Sequence, residues 1–374
     1  MLKVMTIVGT RPEIIKMSCV IKEFDIYTKH ILVHTGQNFD YELNQIFFED
    51  LGLRTPDYFL NAAGQSTAQT IGMIIEKADA VFQKEKPDAL LLYGDTNSCL
   101  SVIAAKRRKI PVFHMEAGNR CFDERVPEEL NRKVLDHLSD LNFVLTEHAR
   151  RYLINEGVKQ EMIVKTGSHM KEVLNFQKKK IENSQILKKL NLKKRKYFLV
   201  SAHREENLDD IENLTNLLVS LNSLGDKYNY PIIFSTHPRT QKKINKLKDF
   251  HVNKNIKFLK PFGFSDYIKL QIDAFCILSD SGTITEEADL LNLPAINIRN
   301  AHERPEGMDA GTLIMSGLKK QEILSCVEII TSQVNKESYI YNNIEDYKPQ
   351  SVSNQILRVV LSYVSYINRT IWSK

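Results

Sequence analysis

The sequence contains no pair of glycines separated by a single residue, although glycine occurs 15 times. The glycine-rich fingerprint of dinucleotide-binding proteins is therefore missing, which argues against tightly bound NAD. The pattern GxxxxGK followed by Ser or Thr is missing as well, and this argues against a P-loop kinase. The five cysteines include no CxxC pair. Their odd number and mostly apolar surroundings predict reduced thiols.

Long apolar runs are also lacking. No uninterrupted stretch approaches the length needed to cross a bilayer. The N-terminal residues MLKVMTIVGTRPE show neither the apolar core nor the cleavage site of a signal peptide. Arg-rich blocks with interleaved aromatic residues, which are typical of nucleic-acid binding, are missing too. These absences predict a cytoplasmic protein with no membrane insertion and no nucleic-acid partner.

What the sequence does contain is typical of a globular enzyme. Its 374 residues suit two domains of ordinary size. A hydrophobic fraction of 43% with a charged fraction of 26% allows a sizeable core. The net charge of +5 is mild and spread along the chain, which suits an anionic small molecule at least as well as a nucleic acid.

Short apolar runs alternate with longer helical patterns. KVMTIV, HILVHT, DALLLYGD, PVFHME and NFVLT come first, and the series restarts with YFLVSAH, PIIFSTH and AFCILSD. This alternation predicts an α/β protein with parallel sheets covered on both faces. Helices are expected near Glu128 to Leu138 and from about Leu208 to Tyr228. A Lys-rich stretch, KKKIENSQILKKLNLKKRK, is interpreted as helix surface plus a linker between the two units.

The C-terminal segment predicts an amphipathic helix. Its apolar stripe consists of Ile356, Val360, Val364, Ile367 and Ile371. A membrane-surface helix has the same periodicity, but the polar face is not strongly basic. Packing against the protein is therefore the favoured interpretation.

In open parallel sheets, ligands bind outside the carboxyl ends of the strands. The informative residues of this chain fall at such ends in both halves, which predicts a ligand site in a cleft between two domains. These strand-end positions are residues 9–11, 35–37, 94–96, 116–118, 203–204, 237 and 280–283.

The segment SDSGTITEEA (279–288) predicts a strand, a tight turn and a helix start. With Ser281 as the N-cap, the backbone N–H groups of Gly282 and Thr283 would be exposed to bind phosphate. A routine helix cap explains the same pattern without a ligand. Glu287, one turn further, is placed to accept hydrogen bonds from ribose hydroxyls.

Positive side chains occur at other strand ends and helix starts. Arg11, His203 and Arg304 are candidates to surround a pyrophosphate. Each of them alone is also explained by pairing with a protein carboxylate. Together with the 279–288 turn, they predict a phosphate site.

Three carboxylates lie near this predicted site, with Lys16 on the first helix. Asp95 follows a buried strand, where an Asx turn is an equal alternative to catalysis. Glu128 lies in a first helical turn, where a negative charge complements the helix dipole. Glu116 ends an apolar strand, where an unpaired carboxylate is costly. A desolvated carboxylate gains basicity and suits general acid/base catalysis.

His114 and Glu116 alternate on one strand face, which is compatible with metal binding. The sequence has no ligand spacing typical of a metal site, so a catalytic metal is not expected.

At this point the motifs resemble those of the non-hydrolysing UDP-sugar 2-epimerases. The resemblance runs from about residue 3 to residue 350, with the motifs in the family's order and approximate spacing. The matching motifs are GTRPEIIK (9–16), GDTNS (94–98), HMEAGNR (114–120), PEELNR (127–132), HRE (203–205), DSGTITEEA (280–288) and ERPE (303–306).

This resemblance implies a fold, a chemistry and a set of site residues. The fold would be two Rossmann-like domains facing a central cleft, as in GT-B glycosyltransferases, at residues 1–168 and 169–350. Residues 351–374 would form a helix that packs back on the first domain. The protein would be a homodimer with no cofactor and no metal. The residues that bind the UDP-sugar would be Arg11, Lys16, His203, His237, Tyr267, Ser281, Gly282, Thr283, Glu287 and Arg304. The catalytic residues would be Lys16, Asp95, Glu116, Glu128 and His203.

Within the family, three segments resemble enzymes that act on UDP-2-acetamido-2,6-dideoxy-L-talose. They are HILVHTGQNFDYELNQIFFEDLG, AKRRKIPVFHMEAGNRCFDERVPEE and HERPEGMDAG. The expected product is UDP-N-acetyl-L-fucosamine for capsule or O-antigen, and interconversion of UDP-GlcNAc and UDP-ManNAc is the alternative. The chain has Ser-Gly-Thr at 281–283 where the family often has Ser-Gly-Gly, and His-Arg-Glu-Glu at 203–206 where it often has His-Arg-Arg-Glu.

The implied reaction needs two proton-transfer groups. One carboxylate removes the C2 proton as UDP leaves C1, which produces a 2-acetamidoglycal, and a proton then returns to the other face. Asp95 and Glu116 are the leading candidates, followed by Glu128, while Lys16, Arg11 and His203 would stabilise the departing diphosphate. A GT-B glycosyltransferase and a non-catalytic nucleotide-sugar-binding regulator are the rival hypotheses.

Overall fold

The computed structural model describes residues 1–37, 47–208, 210–236, 238–245, 247, 250–300, 303–334 and 344–374. The chain divides into two compact units. Unit 1 comprises Met1–Phe176 together with Glu345–Lys374, and unit 2 comprises Gln177–Ile344. The first boundary lies inside the helix Met170–Asn183, and the C-terminal segment belongs to unit 1.

Unit 1 is built on a seven-stranded sheet. Its strands are β1 (Lys3–Val8), β2 (Lys29–His34), β3 (Tyr58–Phe59), β4 (Ala89–Tyr93), β5 (Val112–Ala117), β6 (Leu141–Val144) and β7 (Ile163–Lys165). Their order is β3-β2-β1-β4-β5-β6-β7 and every pairing is parallel. The order reverses between β1 and β4, so the loops that follow β1, β4 and β5 are neighbours at the carboxyl edge.

Unit 2 repeats this plan with six strands. They are β8 (Phe198–Ser201), β9 (Ile232–Ser235), β10 (Ile256–Leu259), β11 (Cys276–Ser279), β12 (Ala295–Asn297) and β13 (Ile314–Met315). Their order is β10-β9-β8-β11-β12-β13, again with parallel pairing. Here the reversal falls between β8 and β11, so the loops after these two strands adjoin. The prediction of two parallel α/β sheets is confirmed.

The labelled helices follow in chain order. They are α1 (Arg11–Tyr27), α2 (Thr67–Glu85), α3 (Val102–Arg107), α4 (Pro127–Leu138), α5 (Glu147–Asn155), α6 (Met170–Asn183), α7 (Ile186–Lys189), α8 (Glu205–Leu208), α9 (Ile211–Tyr228), α10 (Pro238–Ile244), α11 (Phe264–Ile272), α12 (Ile284–Leu291), α13 (Pro305–Ala310), α14 (Lys320–Val334) and α15 (Val352–Thr370). The helix predicted near Glu128 to Leu138 is confirmed as α4.

Helix α2 shows how the helices cover the sheets. It buries Ile74, Ala78 and Phe82 at intervals of four residues, in one core cluster with Leu90 and Leu92 of β4. Burial of one such large side chain stabilises the fold by about 2 kcal/mol. The helical periodicity of α2 and the continuous apolar run of β4 thus meet in one core.

One predicted helix begins slightly later than expected. The helix expected from about Leu208 to Tyr228 is α9, which begins at Ile211, and a separate short helix, α8, ends at Leu208. Asp210 is the N-cap of α9, and its carboxylate accepts the Glu212 N–H at 2.8 Å. An aspartate that binds a backbone N–H in this way begins a new helix.

The C-terminal helix α15 buries most of the predicted stripe. Ile356, Val360, Val364 and Ile367 are buried. Ile371 departs from the prediction because it follows the last helical residue and is 44% exposed. Among the described residues, no helix is long and apolar enough to cross a membrane.

Candidate active site

Glu116 occupies a strained position in β5. The register between β5 and β6 shifts from Met115 to Ala117, so Glu116 is the extra residue of a β-bulge. Its φ is 65°, a left-handed conformation that costs a non-glycine residue about 1 kcal/mol or more. The half-buried Glu116 side chain is therefore directed by the bulge rather than by the regular alternation of the strand.

The Glu116 carboxylate lies next to Gly94, the first residue after β4. A Cβ added to Gly94 would stand 3.5 Å from Glu116 Oε2, and the φ of Gly94 is +73°, which favours glycine. The Gly94 N–H donates to the Met115 carbonyl at 3.0 Å. Asn119 Nδ2 lies 3.3 Å from Glu116 Oε1. The loops after β4 and β5 are thus joined around this carboxylate.

Asp95 follows Gly94 and is held by α4. Arg132 donates from Nε to Asp95 Oδ2 at 2.7 Å and from Nη1 to Glu129 Oε2 at 2.9 Å. Asn131 Nδ2 donates to the Asp95 carbonyl oxygen at 2.8 Å. The side chains of Arg132 and Glu129 are buried, whereas 25% of the Asp95 side chain is exposed. Helix α4 therefore fixes both the backbone and the side chain of Asp95.

Glu128 and Glu129 lie together in the first turn of α4. Burial raises the pKa of Glu129, but hydrogen bonds from Cys121 and Arg132 outweigh burial and hold that pKa below its usual value. Glu129 is thus the buried partner of Arg132, a role that sequence patterns did not identify. Glu128 is half-buried, where its charge also complements the helix dipole.

Glu13 joins the loops after β1 and β4. Its Oε2 accepts N–H bonds from Gly9 at 2.6 Å and from Thr10 at 2.7 Å, and its Oε1 accepts the Thr96 hydroxyl at 2.6 Å. Burial raises the pKa of Glu13 to about 7, against the lowering effect of these hydrogen bonds. Glu13 is not among the residues predicted from the sequence. A glutamate three residues after a helix-capping Thr is nevertheless the recognisable signal of a capping box.

Arg11 and Lys16 both lie on α1 in unit 1. Arg11 is the first helical residue and is half-buried, with its guanidinium carbon 5.6 Å from the centre of the Phe47 ring. Lys16 is only 2% exposed, and a buried ammonium group is costly without partners. Unit 1 thus contains Arg11, Lys16 and all three candidate carboxylates.

In unit 2, His203 is held by a buried carboxylate. Its Nδ1 lies 3.0 Å from Asp280 Oδ1, and Asp280 also accepts the backbone N–H groups of His203 and Arg204. Burial raises the pKa of Asp280, but His203 and these N–H groups outweigh it and hold the pKa below its usual value. The His203 side chain is 50% exposed. Asp280 therefore orients an imidazole that remains open to solvent.

The loop after β11 differs in detail from the predicted cap. Thr283, not Ser281, is the N-cap of α12. Ser281 Oγ lies 3.0 Å from Thr283 Oγ1 and accepts the Thr283 N–H at 3.4 Å, while the Ser281 N–H donates to Ser279 Oγ at 3.1 Å. The helix begins later than predicted because this local hydroxyl network organises the turn first. Ser281, Gly282 and Thr283 are half-buried.

Glu287 and Tyr267 lie near each other further inside unit 2. Gln271 donates from Nε2 to Glu287 Oε2 at 2.6 Å, and Glu287 is 6% exposed. Burial raises the pKa of Tyr267, and the nearby Glu287 carboxylate adds to that effect. Glu287 thus already has a protein donor on one of its oxygens.

Two arginines of unit 2 form buried pairs with glutamates. Arg304 Nη2 lies 3.2 Å from Glu286 Oε1, with both side chains at most 5% exposed. Arg204 forms a two-point contact with Glu303, at 3.0 Å and 3.2 Å. The predicted site residue His237 lies outside the described residues.

Each unit brings its own group of predicted residues together. Unit 1 gathers Asp95, in the loop after β4, and Glu116, in the bulge of β5. Unit 2 gathers His203 and the 281–283 turn at adjoining strand ends. Among the described residues, no group of three His, Cys, Asp or Glu side chains is placed to hold a metal ion. All five cysteines are described and none forms a disulfide.

Comparison with known proteins identifies the family of this chain. The family model described as UDP-N-acetylglucosamine 2-epimerase matches residues 23–361. A UDP-N-acetylglucosamine 2-epimerase of Methanococcus maripaludis is 40% identical over 88% of this chain and 91% of its own. A structure of UDP-N-acetylglucosamine 2-epimerase from Rickettsia bellii is 63% identical, covers 100% of both chains and has a TM-score of 0.93. The UDP-GlcNAc 2-epimerase of Methanocaldococcus jannaschii, in complex with UDP-GlcNAc and UDP, is 34% identical over 96% of this chain and 100% of its own, with a TM-score of 0.88.

The fold also extends beyond these relatives. A glycosyltransferase structure from Rickettsia africae covers 99% of both chains at a TM-score of 0.55, but its 14% identity shows a shared fold alone. The prediction of a GT-B-like fold with two Rossmann-like domains is therefore confirmed. The matches over nearly the whole chain also decide the family. This chain belongs to the UDP-N-acetylglucosamine 2-epimerase family and is a non-hydrolysing epimerase of that family.

Proposed function

We propose that this chain interconverts UDP-GlcNAc and UDP-ManNAc by epimerisation at C2. The observation that carries the proposal is a pair of carboxylates at neighbouring strand ends of unit 1, Asp95 in the loop after β4 and Glu116 in the bulge of β5. The names of the related proteins support UDP-GlcNAc as the substrate. The R. bellii protein is named for this activity, and the M. jannaschii structure contains UDP-GlcNAc.

The reaction proceeds by elimination and re-addition. The C2 proton has no neighbouring carbonyl, so its removal depends on departure of UDP from C1. A carboxylate takes the proton, the C–H electron pair forms the C1–C2 double bond, and the C1–O electron pair leaves with UDP. A proton then returns to C2 on the other face as UDP adds back to C1. The sugar is neither oxidised nor reduced overall, so the reaction requires no nicotinamide.

Unit 1 supplies the proton-transfer groups in this proposal. Asp95 and Glu116 act on opposite faces of the ring, and Glu128 is the next candidate. The ion pair with Arg132 stabilises the charged form of Asp95. The bulge at Glu116 aims its carboxylate without dependence on a flexible loop. Lys16 and Arg11 assist electrostatically as negative charge develops on the departing diphosphate.

Unit 2 supplies the UDP-binding groups. Asp280 fixes Nδ1 of His203, so Nε2 is the ring nitrogen available to a phosphate oxygen. The turn at residues 281–283 contributes hydroxyl and backbone N–H donors at the start of α12. Glu287 and Tyr267 are assigned to the nucleoside, and Arg304 adds positive charge. His237 completes the proposed set.

A second substrate, UDP-2-acetamido-2,6-dideoxy-L-talose, is favoured by one sequence feature. The segment TGQNFDYELN (35–44) resembles the enzymes that act on this 6-deoxy sugar, and its residues 38–44 lie outside the described structure. The related proteins named above support UDP-GlcNAc instead. We also expect a homodimer, because the family resemblance implies one.

A substrate panel in D₂O tests the proposal. The purified chain receives either UDP-sugar without NAD or acceptor, and NMR follows the C2 proton. We expect epimerisation of UDP-GlcNAc, deuterium at C2 of the product, and movement of ¹⁸O from the sugar–phosphate bridge into non-bridging positions. Epimerisation without C2 exchange would contradict the mechanism. Turnover of the 6-deoxy sugar alone would show that UDP-GlcNAc is not the substrate. Turnover that requires an added acceptor would indicate a glycosyltransferase.

A further inference from the structure

His114 connects two parts of unit 1 that hold the candidate carboxylates. It lies in β5, two residues before Glu116, and its side chain is 1% exposed. Its Nδ1 lies 2.9 Å from Asp136 Oδ1 in α4, and its Nε2 lies 2.8 Å from the carbonyl oxygen of Gly94. Protein oxygens therefore occupy both ring nitrogens, which leaves neither for a metal ion.

Both of these oxygens act as acceptors. A backbone carbonyl has no proton to give. Asp136 also accepts the Gly118 N–H at 3.2 Å and Arg120 Nη1 at 2.7 Å. Burial raises the pKa of Asp136, but His114 and Arg120 outweigh it and hold the pKa below its usual value. Because the Gly94 carbonyl can only accept, the contact at 2.8 Å places a proton on Nε2 of the His114 ring.

Asp136 connects His114 to a group of neighbouring charged side chains. Asp136 has no exposed side-chain surface and pairs with both His114 and Arg120. Arg120 also pairs with Glu156, at 2.6 Å between Nη2 and Oε2. The partly exposed His137 lies 3.4 Å from the same glutamate. Arg120 thus pairs with two carboxylates, which reduces the cost of burying its charge.

We propose that His114 is a positioning residue for the epimerase reaction: its ring donates from Nε2 to the Gly94 carbonyl and thereby sets the direction of Asp95. The proposal rests on the function proposed above, because Asp95 is one of its two proton-transfer groups. His114 acts through the backbone and does not touch the sugar.

The geometry at Gly94 explains why such a constraint is needed. Glycine with a φ of +73° has a permissive backbone, so rotation about its bonds would redirect the following residue, Asp95. Strand β5 holds both the N–H and the carbonyl of Gly94. The Gly94 N–H donates to Met115, and the Gly94 carbonyl accepts from His114. Helix α4 carries Asp136 and also Arg132, which holds the Asp95 side chain.

The first test is NMR of the wild-type chain labelled with ¹⁵N in histidine. Because the Gly94 carbonyl can only accept a hydrogen bond, we expect a buried ring with a proton on Nε2. Its assignment comes from loss of its signals in His114→Asn. A His114 ring without a proton on Nε2 would overturn the proposal.

The second test separates the two contacts of the ring. An asparagine amide at 114 can reach Asp136 but not Gly94, whereas a glutamine amide has the reach of Nε2 and can still donate to Gly94. We expect kcat to fall on the order of a hundredfold in His114→Asn with KM nearly unchanged, and only about tenfold in His114→Gln. Equal losses in the two variants, or a loss confined to KM, would refute the positioning role.

A matched control and a structural readout complete the design. His137→Asn alters the next histidine along the chain, which is 47% exposed, and should retain wild-type kcat. The amide signal of Asp95 should shift in His114→Asn and stay in place in His137→Asn, whatever substrate the enzyme uses. An unmoved Asp95 amide in His114→Asn would overturn the proposal. Absence of epimerase activity in the wild type would refute the proposed function, while the ring protons and the Asp95 amide would still decide the role of His114.

Discussion

Asp95 and Arg132 form an ion pair, with 2.7 Å between Oδ2 and Nε, that joins the loop after β4 to helix α4. The guanidinium also contacts Glu129 at 2.9 Å, and 4% of the Arg132 side chain is exposed. One buried cation therefore serves two carboxylates. Arg132 therefore holds the Asp95 side chain in place against helix α4.

Arg132→Ala should destabilise the chain and reduce turnover together. Loss of the cation leaves Glu129 buried without its partner, and breaking a buried pair of this kind costs about 3 kcal/mol. Urea unfolding measures the loss. The matched control is Arg125→Ala, because 87% of the Arg125 side chain is exposed in its pair with Asp123, and an exposed pair contributes at most about 1 kcal/mol. Equal stability of the two variants would contradict the assigned role of Arg132.

Glu116→Gln should fold and bind UDP normally but lose turnover by about a hundredfold or more, the usual scale of general acid/base catalysis. The amide keeps the shape of the side chain and removes its capacity to take a proton. Steady-state kinetics and UDP calorimetry provide the two measurements. Glu124→Gln, at a side chain that is 86% exposed, serves as the control. Near-wild-type turnover of Glu116→Gln would assign this residue a structural role.

Ser281→Ala should weaken UDP binding by about tenfold, since one hydrogen-bond donor to phosphate and one local turn contact are lost. Ser281 Oγ accepts the Thr283 N–H, so the turn before α12 also loses part of its support. Calorimetry with UDP measures the change, and Ser332→Ala, at an exposed position of unit 2, should leave affinity unaltered. Unchanged affinity in Ser281→Ala would place the phosphate site elsewhere.

Glu13 should make the stability of the chain depend on pH. The pKa of Glu13 is about 7 in the folded state and 4.5 as its ordinary value, so the folded state holds a proton that the unfolded state releases. The free energy of unfolding therefore falls as pH rises from about 4.5 to about 7, and it levels off above that range.

Comparison with Glu13→Gln isolates this effect from other groups. Between about pH 5 and pH 7.5, the wild type should lose about 2 kcal/mol relative to the variant. Urea unfolding at the two pH values supplies the measurement. A difference between the two proteins that stays constant across this range would show that Glu13 does not keep its proton on folding.

The sheets and the strand-end carboxylates could be predicted because they depend on local patterns. Apolar strands such as β4 are recognisable from their run of apolar residues. Asp95 and Glu116 were predicted as site residues because they lie at strand ends. The bulge at Glu116 was not predictable, since it arises from a register shift against β6. The contact between Glu13 and Thr96 joins residues 83 positions apart, and no local signal encodes such a partner.

Errors occurred where short-range hydrogen bonds compete with helix periodicity. Asp210 caps a helix that was predicted to begin at about Leu208, and the Ser281–Thr283 hydroxyl contact delays the start of α12. His114 was considered only as a metal ligand. Its actual partners, Asp136 and the Gly94 carbonyl, become apparent only when β4, β5 and α4 are seen together.

The left-handed backbone of Glu116 places two demands on this position: stability favours a residue that adopts this φ readily, whereas catalysis requires the carboxylate. Asparagine and glycine adopt a φ of 65° more readily than glutamate does, so the fold itself has no preference for the carboxylate. Selection of a mutant library for thermal stability alone should therefore replace Glu116, while selection for epimerase activity should retain it. At position 116, a substitution that makes the fold more stable therefore inactivates the enzyme.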